Sequence, residues 1–149
     1  MEPVRKTQAA FAVAGPSVRT TNREESDPAT GRIPALWGRF FAENVMGQTP
    51  HRDSADLRNF GVYSAYESDA QGAFDVTAGV AVTQGATVNI EAGDYLVFDA
   101  SGPMPQAVID AWSRIWQYFD AHPELQRRYR TDFEAYTSPI SAAVYIGVE

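Results

Sequence analysis

The spacing of hydrophobic and polar residues changes period several times along the chain, and each change marks an element. Residues 8–14 form a short apolar run, with Phe11 and Val13, that stops at Gly15-Pro16 and reads as a first strand. Residues 21–31 are polar and charged, contain Pro28 and Gly31, and read as a loop. From 33 to 45, Ile33, Leu36, Trp37, Phe40, Phe41 and Val45 recur at the i, i+3, i+4 spacing of a helix with one buried stripe. Pro34 falls in its first turn, where a missing N–H costs nothing. A polar connection over 48–58 leads to two strands, 59–67 and 74–83, joined by the turn-rich Ser68-Asp69-Ala70-Gln71-Gly72. Residues 84–93 link this half to the next. A strand over 94–100 follows, and Ser101-Gly102-Pro103-Met104-Pro105 opens a second helix that runs to about residue 121. Val108, Ala111, Trp112, Ile115, Trp116 and Phe119 share one face of it, and His122-Pro123 stops it. Strands over 131–137 and 142–148 complete the chain, joined by Ser138-Pro139-Ile140.

The order is therefore β-α-β-β, twice. Three landmarks repeat in step with it. Trp37-Gly38-Arg39-Phe40-Phe41 returns 75 residues later as Trp112-Ser113-Arg114-Ile115-Trp116. Tyr63-Ser64-Ala65-Tyr66 returns as Phe133-Glu134-Ala135-Tyr136 at an offset of 70, and Gly79-Val80 as Gly147-Val148 at an offset of 68. The repeats span about 8–83 and 94–149 of one domain covering 1–149. The expected fold class is α+β: duplicated β-α-β-β units related by pseudo-twofold symmetry, with an antiparallel sheet and two helices flanking a cleft. In this alignment of the copies Ser64 corresponds to Glu134, so one copy carries an acid that the other lacks.

Composition narrows the function. Apolar residues are 44% of the 149 and aromatics 12%, enough for a core and against global disorder. A net charge of −7 leaves no basic stripe to displace counterions from phosphates, which disfavours nucleic acid. The same charge serves solubility, and mildly favours cationic small molecules. Without cysteine there are no disulfides, thiolate chemistry or zinc–sulfur sites. No apolar run reaches the ~18–20 residues of a membrane span, and the first residues lack a secretory h-region, so a cytoplasmic location is expected. His51 and His122 share no acidic partner nearby in sequence, so no metal site is expected. No glycine-rich phosphate loop is present, and no cofactor is indicated.

Glu134 is the leading candidate for chemistry. On a strand, Phe133 and Ala135 point one way and Asp132, Glu134 and Tyr136 the other. Period alone leaves two readings open, a solvated outer face or a cleft. Aromatics at the repeated positions favour the cleft: three Trp in two helices exceed what filling a small core needs, and each indole N–H wants a partner. Rings facing a cation add about 0.5–2 kcal/mol each. With one carboxylate and apolar burial, binding of about −8 kcal/mol, or low micromolar, is reasonable. Arg39 and Arg114 lie two residues after each Trp, about 200° round the helix, and are expected to make salt links at its surface.

These same residues carry a resemblance. Ile33-Pro34-Ala35-Leu36-Trp37-x-Arg39-Phe40, Gly61-Val62-Tyr63 and Ala78-Gly79-Val80 look like the GyrI-like effector-binding domain, as do Ala92-Gly93-x-Tyr95-x-x-Phe98, Ala111-Trp112-x-x-Ile115-Trp116 and Phe133-Glu134-x-Tyr136. Six weak motifs in the right order, from Phe11 onward, make a strong signal together. That domain ends some AraC-type and MerR-type regulators and also occurs alone, including members encoded on integron gene cassettes that bind cationic drugs. The resemblance implies a pseudo-twofold fold with a ligand cleft between two helices and the sheet. It places Glu134 where the regulators hold a buried glutamate for lipophilic cations, and implies a ligand-binding set of Glu134, Trp37, Phe41, Tyr66, Trp112, Trp116, Tyr136 and Tyr145. The residues before the first strand are too few for a helix-turn-helix, so direct DNA contact is not expected and any link to transcription would need a separate regulator. Two alternatives stay open by the same resemblance. One is a small-molecule hydrolase using Glu134 with Tyr136 or Tyr66 as base and acid. The other is a protective partner of DNA gyrase.

Overall fold

A computed structural model describes residues 3–149. The elements run β1 (Val4–Gln8), β2 (Phe11–Ala14), β3 (Ser17–Thr20), α1 (Asn22–Glu25), α2 (Ile33–Ala42), α3 (Val45–Gln48), β4 (Asn59–Ser64), β5 (Phe74–Val82), β6 (Val88–Ile90), β7 (Gly93–Ser101), α4 (Gln106–Ala121), β8 (Asp132–Ser138) and β9 (Ser141–Gly147). The fold is α+β, with antiparallel strands in one nine-stranded sheet of order β1-β7-β9-β8-β4-β5-β2-β6, and β3 beside β2 on β5. Reading outward from the central β4–β8 pair gives β8-β9-β7 on one side and β4-β5-β2 on the other. Each trio is the strand set of one repeat, so the duplicated pattern in the sequence becomes a pseudo-twofold arrangement.

Four features depart from the expected pattern. The single strand over 8–14 is in fact β2, preceded by β1 and followed, after a bend at Gly15-Pro16, by β3. β1 pairs only with β7 and is mostly exposed, so it has no buried face to imprint an alternation. The loop over 21–31 contains α1, whose first turn is capped by the Thr21 hydroxyl accepting from Glu24 N–H. The helix over 33–45 stops at Ala42, because Asn44 takes a left-handed conformation (φ 49°) before the separate turn α3. The linking segment 84–93 holds β6, which is too short to show a period.

Both faces of the central strands are buried. On one face lie Phe60, Val62, Phe133, Ala135 and Tyr145, with Tyr95 and Ile90. Among the described residues no helix covers them; the sheet curls round them instead. β6 and β7 are six inter-strand steps apart in sheet order, which would be about 29 Å if flat. Only Glu91 and Ala92 join them, and that connection spans at most about 11 Å. The curl is fastened by the buried Tyr95, whose hydroxyl donates to Glu91 O at 2.6 Å and meets Thr131 Oγ1 at 2.9 Å.

The opposite face carries the helices. Leu36 and Phe40 of α2 seat on Val76, Ala78 and Val80 of β5. Ala107, Val108, Ala111 and Ile115 of α4 seat on Leu96, Phe98, Val144 and Ile146 of β7 and β9. Each helix therefore covers the outer strands of its own half. The middle pair, β4 and β8, is left as the floor of a trough between them.

The cross-strand register decides what stands on that floor. Gly61 faces Glu134, Tyr63 faces Asp132, and Asn59 faces Tyr136. Ser64 is one residue beyond Tyr63 and so points to the other side of β4. The correspondence of Ser64 with Glu134 drawn from the repeat offset is therefore wrong by one face: the residue across from Glu134 is Gly61.

Candidate functional site

Glu134 stands at the centre of the floor, only 3% exposed, between Gly61 on β4 and Val144 on β9. Three neutral donors converge on it. Tyr63 Oη and Trp112 Nε1 donate to Oε2, each at 2.8 Å, and Tyr136 Oη donates to Oε1 at 2.7 Å. The donors come from β4, α4 and β8, so the carboxylate ties both halves of the chain together. Gly61 makes the room: a Cβ there would lie 2.8 Å from Glu134 Oε1 and 3.2 Å from Trp37 Cζ2. Burial pushes the Glu134 carboxyl up from its ordinary range, against the hydrogen bonds from Trp112, Tyr136 and Tyr63 that favour the anion. Burial, followed by the nearby Glu134 charge, also pushes the Tyr63 and Tyr136 hydroxyls up, so both stay protonated as donors.

Two residues away on the same face is a second buried carboxylate with a different set of partners. Asp132 is 0% exposed, and its Oδ2 accepts from Arg127 Nη2 at 2.8 Å and from Tyr66 Oη at 2.5 Å. Its Oδ1 accepts from Gly147 N–H at 2.7 Å. The Arg127 guanidinium lies over the Tyr129 ring at 4.5 Å and the Trp116 ring at 5.7 Å. Asp132 is thus neutralised by the protein's own arginine. Among the described residues Glu134 has only neutral donors.

Above the floor is an open cleft of about 1400 Å³. Of the eight residues expected at a ligand site, Glu134, Trp37, Phe41, Tyr66, Trp112, Trp116 and Tyr136 border it. Tyr145 does not. It lies on the far face of β9, stacked on Phe133 at a ring separation of 4.3 Å, because its register partner is Phe133 and not Glu134. Trp37 meets Tyr136 edge-on at 5.2 Å, while Trp112 lies 5.1 Å from Tyr63 and spends its N–H on Glu134. Phe41 and Trp116, at equivalent places in the two helices, are 59% and 38% exposed. Arg39 makes the expected surface link, to Glu43 at 3.1 Å; Arg114 instead donates to the Asp99 carbonyl.

Sequence reasoning missed four residues here. Tyr63 was legible, since alternation along β4 puts it on one strand face with Gly61. Gly61 was not, because it meets Glu134 only across the β4–β8 register; Asp132 and Arg127 lie five residues apart, but nothing in their spacing says that the chain turns back to pair them. Glu25, read as a plain loop charge, accepts from Arg32 N–H and Ile33 N–H and so caps α2, which has no cap of its own.

The sequence profile of the integron-associated effector binding proteins, Cass2, matches residues 6–148. The chain belongs to that family. The integron cassette protein Cass2 from the mobile metagenome of Vibrio cholerae is similar to this effector-binding protein over 99% of the chain and 96% of its own, with 36% identity and a TM-score of 0.84. Two structures under 20% identical share the fold. SAV2435, solved bound to tetraphenylphosphonium, has a TM-score of 0.80 and 19% identity over 100% of this chain and 94% of its own. A Staphylococcus aureus MU50 protein described as a putative bacterial transcription regulation protein has a TM-score of 0.80 and 18% identity, over 100% and 99%. No match appears among curated proteins. Among the described residues, no helix of this effector-binding protein is long and apolar enough to cross a membrane, and no three His, Cys, Asp or Glu side chains are placed to hold a metal ion.

Proposed function

We propose that this effector-binding protein holds lipophilic cations in the cleft, with Glu134 as counter-ion and the surrounding rings as walls, so as to sequester or sense them. One observation carries the reading: among the described residues Glu134 is a buried carboxylate that no cation neutralises, while Asp132 beside it is paired with Arg127. Neutral donors stabilise the anion only in part, so an incoming positive charge has a term to gain. At 4 Å and an effective dielectric of ~20 the attraction is about 4 kcal/mol, less what both charges lose in desolvation. Trp37, Phe41, Trp112 and Trp116 supply ring faces and apolar area. The tetraphenylphosphonium complex of SAV2435 lends support from a protein of the same fold.

Tetraphenylphosphonium and tetraphenylborate, alike in shape and opposite in charge, provide the test. Calorimetric titration is expected to show micromolar binding of the phosphonium to the wild type and none of the borate. Glu134→Gln keeps the shape of the side chain and should weaken phosphonium binding at least tenfold. Equal binding of the two ions, or an unchanged affinity in Glu134→Gln, rules the proposal out.

A further inference from the structure

The floor strands β4 and β8 give the cleft two ends of different character. Besides Glu134, the charged residues that line it are Arg127 and Glu25. Both belong to the Asp132 end. Arg127 pairs with Asp132 itself. Glu25 accepts from Thr20, which faces Phe74, and the Phe74 ring meets Tyr66, the other partner of Asp132. From Glu134 toward Ser138, in contrast, no charged side chain lines the cleft among the described residues. Two ties build this apolar end. Arg52 donates to Met46 O at 2.7 Å and to Leu57 O at 3.1 Å, which holds those two residues side by side. On the other wall Gly102 N–H donates to Ile140 O at 2.9 Å, fastening the start of α4, with Met104 and Ile109, to the turn between β8 and β9. The hydroxyls there are already spent: Thr137 donates to Ser141 O, and Ser138 accepts from Ile140 N–H. Leu57 and Ile109 are 68% and 53% exposed. With Phe41 and Trp116 they make four of the six large apolar side chains exposed among the described residues, gathered on one cleft. Such residues scattered singly are ordinary, but a contiguous set marks a binding groove.

We infer that this end seats the alkyl chain of an amphiphilic cation, with a quaternary ammonium head at Glu134 and one linear tail lying toward Pro139. The inference rests on the cation reading of the cleft and names the ligand class. The tail has one favourable direction. Toward Asp132 it would cut Arg127 and Glu25 off from water, whereas toward Ser138 it covers only apolar side chains and satisfied hydroxyls. The strand also sets the length. Glu134 and Ser138 are four residues apart on β8, about 13 Å of extended chain. A strand has three backbone bonds per residue, so an extended alkyl chain of about twelve carbons covers the same distance. Beyond Pro139 the chain turns back into β9, the floor ends, and further methylenes stay in water.

A series of alkyltrimethylammonium ions with butyl, octyl, dodecyl and hexadecyl tails isolates the effect, each titrated below its micelle concentration by calorimetry. Affinity for the wild type should rise about twofold per methylene from butyl to dodecyl, half the logarithmic gain of full burial, because one side of the groove is open. Hexadecyl should bind within threefold of dodecyl. Leu57→Gln with Ile109→Gln changes two exposed side chains of the groove, and the dodecyl-to-butyl affinity ratio should shrink at least tenfold in that variant. Val4→Gln, at an exposed apolar residue on β1 outside the cleft, should keep the wild-type ratio. A wild-type series that is flat from butyl, or that climbs undiminished through hexadecyl, overturns the inference. So does a chain-length gain that survives in the Leu57 and Ile109 variant, or is lost equally in Val4→Gln. Binding of tetraphenylphosphonium alongside a flat series would sink this inference and spare the cation reading; failure to bind any of these cations would sink both.

Discussion

Asp132 and Glu134 rise from the same face of β8, and among the described residues only Asp132 has a protein cation beside it. The asymmetry follows from connectivity. The segment from α4 to β8 brings Arg127 alongside the end of β9, where it bridges to Val148 and reaches Asp132. At Glu134 the neighbours are Gly61, which has no side chain, and Val144, which is apolar. The charge is left for a guest.

The pH dependence of binding follows from that. Because burial raises the Glu134 carboxyl, a proton and a ligand cation compete for it at a pH above the ordinary carboxyl range. Affinity for tetraphenylphosphonium, whose own charge does not titrate, should fall as pH drops through the raised value, approaching tenfold per unit. Binding in that range should release protons, seen as a dependence of calorimetric heat on buffer ionisation enthalpy. Affinity flat from pH 7 to pH 4 would contradict the assignment.

Stability of the ligand-free protein should move the opposite way. A carboxyl whose folded value is raised favours the folded state below the unfolded value, and that contribution is lost as pH rises through the folded value. Glu134→Gln removes the titration, so the melting temperature of wild type relative to Glu134→Gln should decline between pH 4 and pH 7. Melts in matched ionic strength would show it.

Gly61→Ala tests the clearance at the floor. The added Cβ must displace the Glu134 carboxylate or the Trp37 ring. About 1–3 kcal/mol of stability should be lost to overpacking, with at least a fivefold loss of phosphonium affinity. Ser64→Ala, on the other side of the same strand, should leave affinity unchanged. Titrations and denaturant melts on both variants separate the two outcomes.

Arg127 and Asp132 should be coupled in stability. Arg127→Met alone leaves a buried carboxylate uncompensated and should cost about 3–5 kcal/mol. Adding Asp132→Asn should recover part of that loss. A double-mutant cycle by urea unfolding measures the coupling; additive losses would refute it.

Tyr145→Ala should separate core from cleft. Removing the ring that stacks on Phe133 should cost about 3–5 kcal/mol. The folded protein should still bind tetraphenylphosphonium as wild type does, in contrast to Glu134→Gln.

Period and repetition in the sequence determined the two long helices, the paired strands that follow each, and the doubled plan, because an amphipathic element carries its buried face in its own spacing. They also put Asp132, Glu134 and Tyr136 on one strand face, and Trp37 and Trp112 at matching places. They did not determine what covers that face, since a strand buried on both sides and one wetted on a side can show the same alternation. The tertiary structure decided it, by setting each helix over the outer strands of its half and leaving β4 and β8 as a floor between them, roofed by side chains of both helices. Pairing across 71 residues brought Tyr63 to Glu134, and register, not repeat offset, put Gly61 opposite the acid and sent Tyr145 to the far side. Local spacing fixes which side chains travel together. Only the folded path of the chain fixes which charge is answered, Asp132 by Arg127 five residues before it, and which is left open.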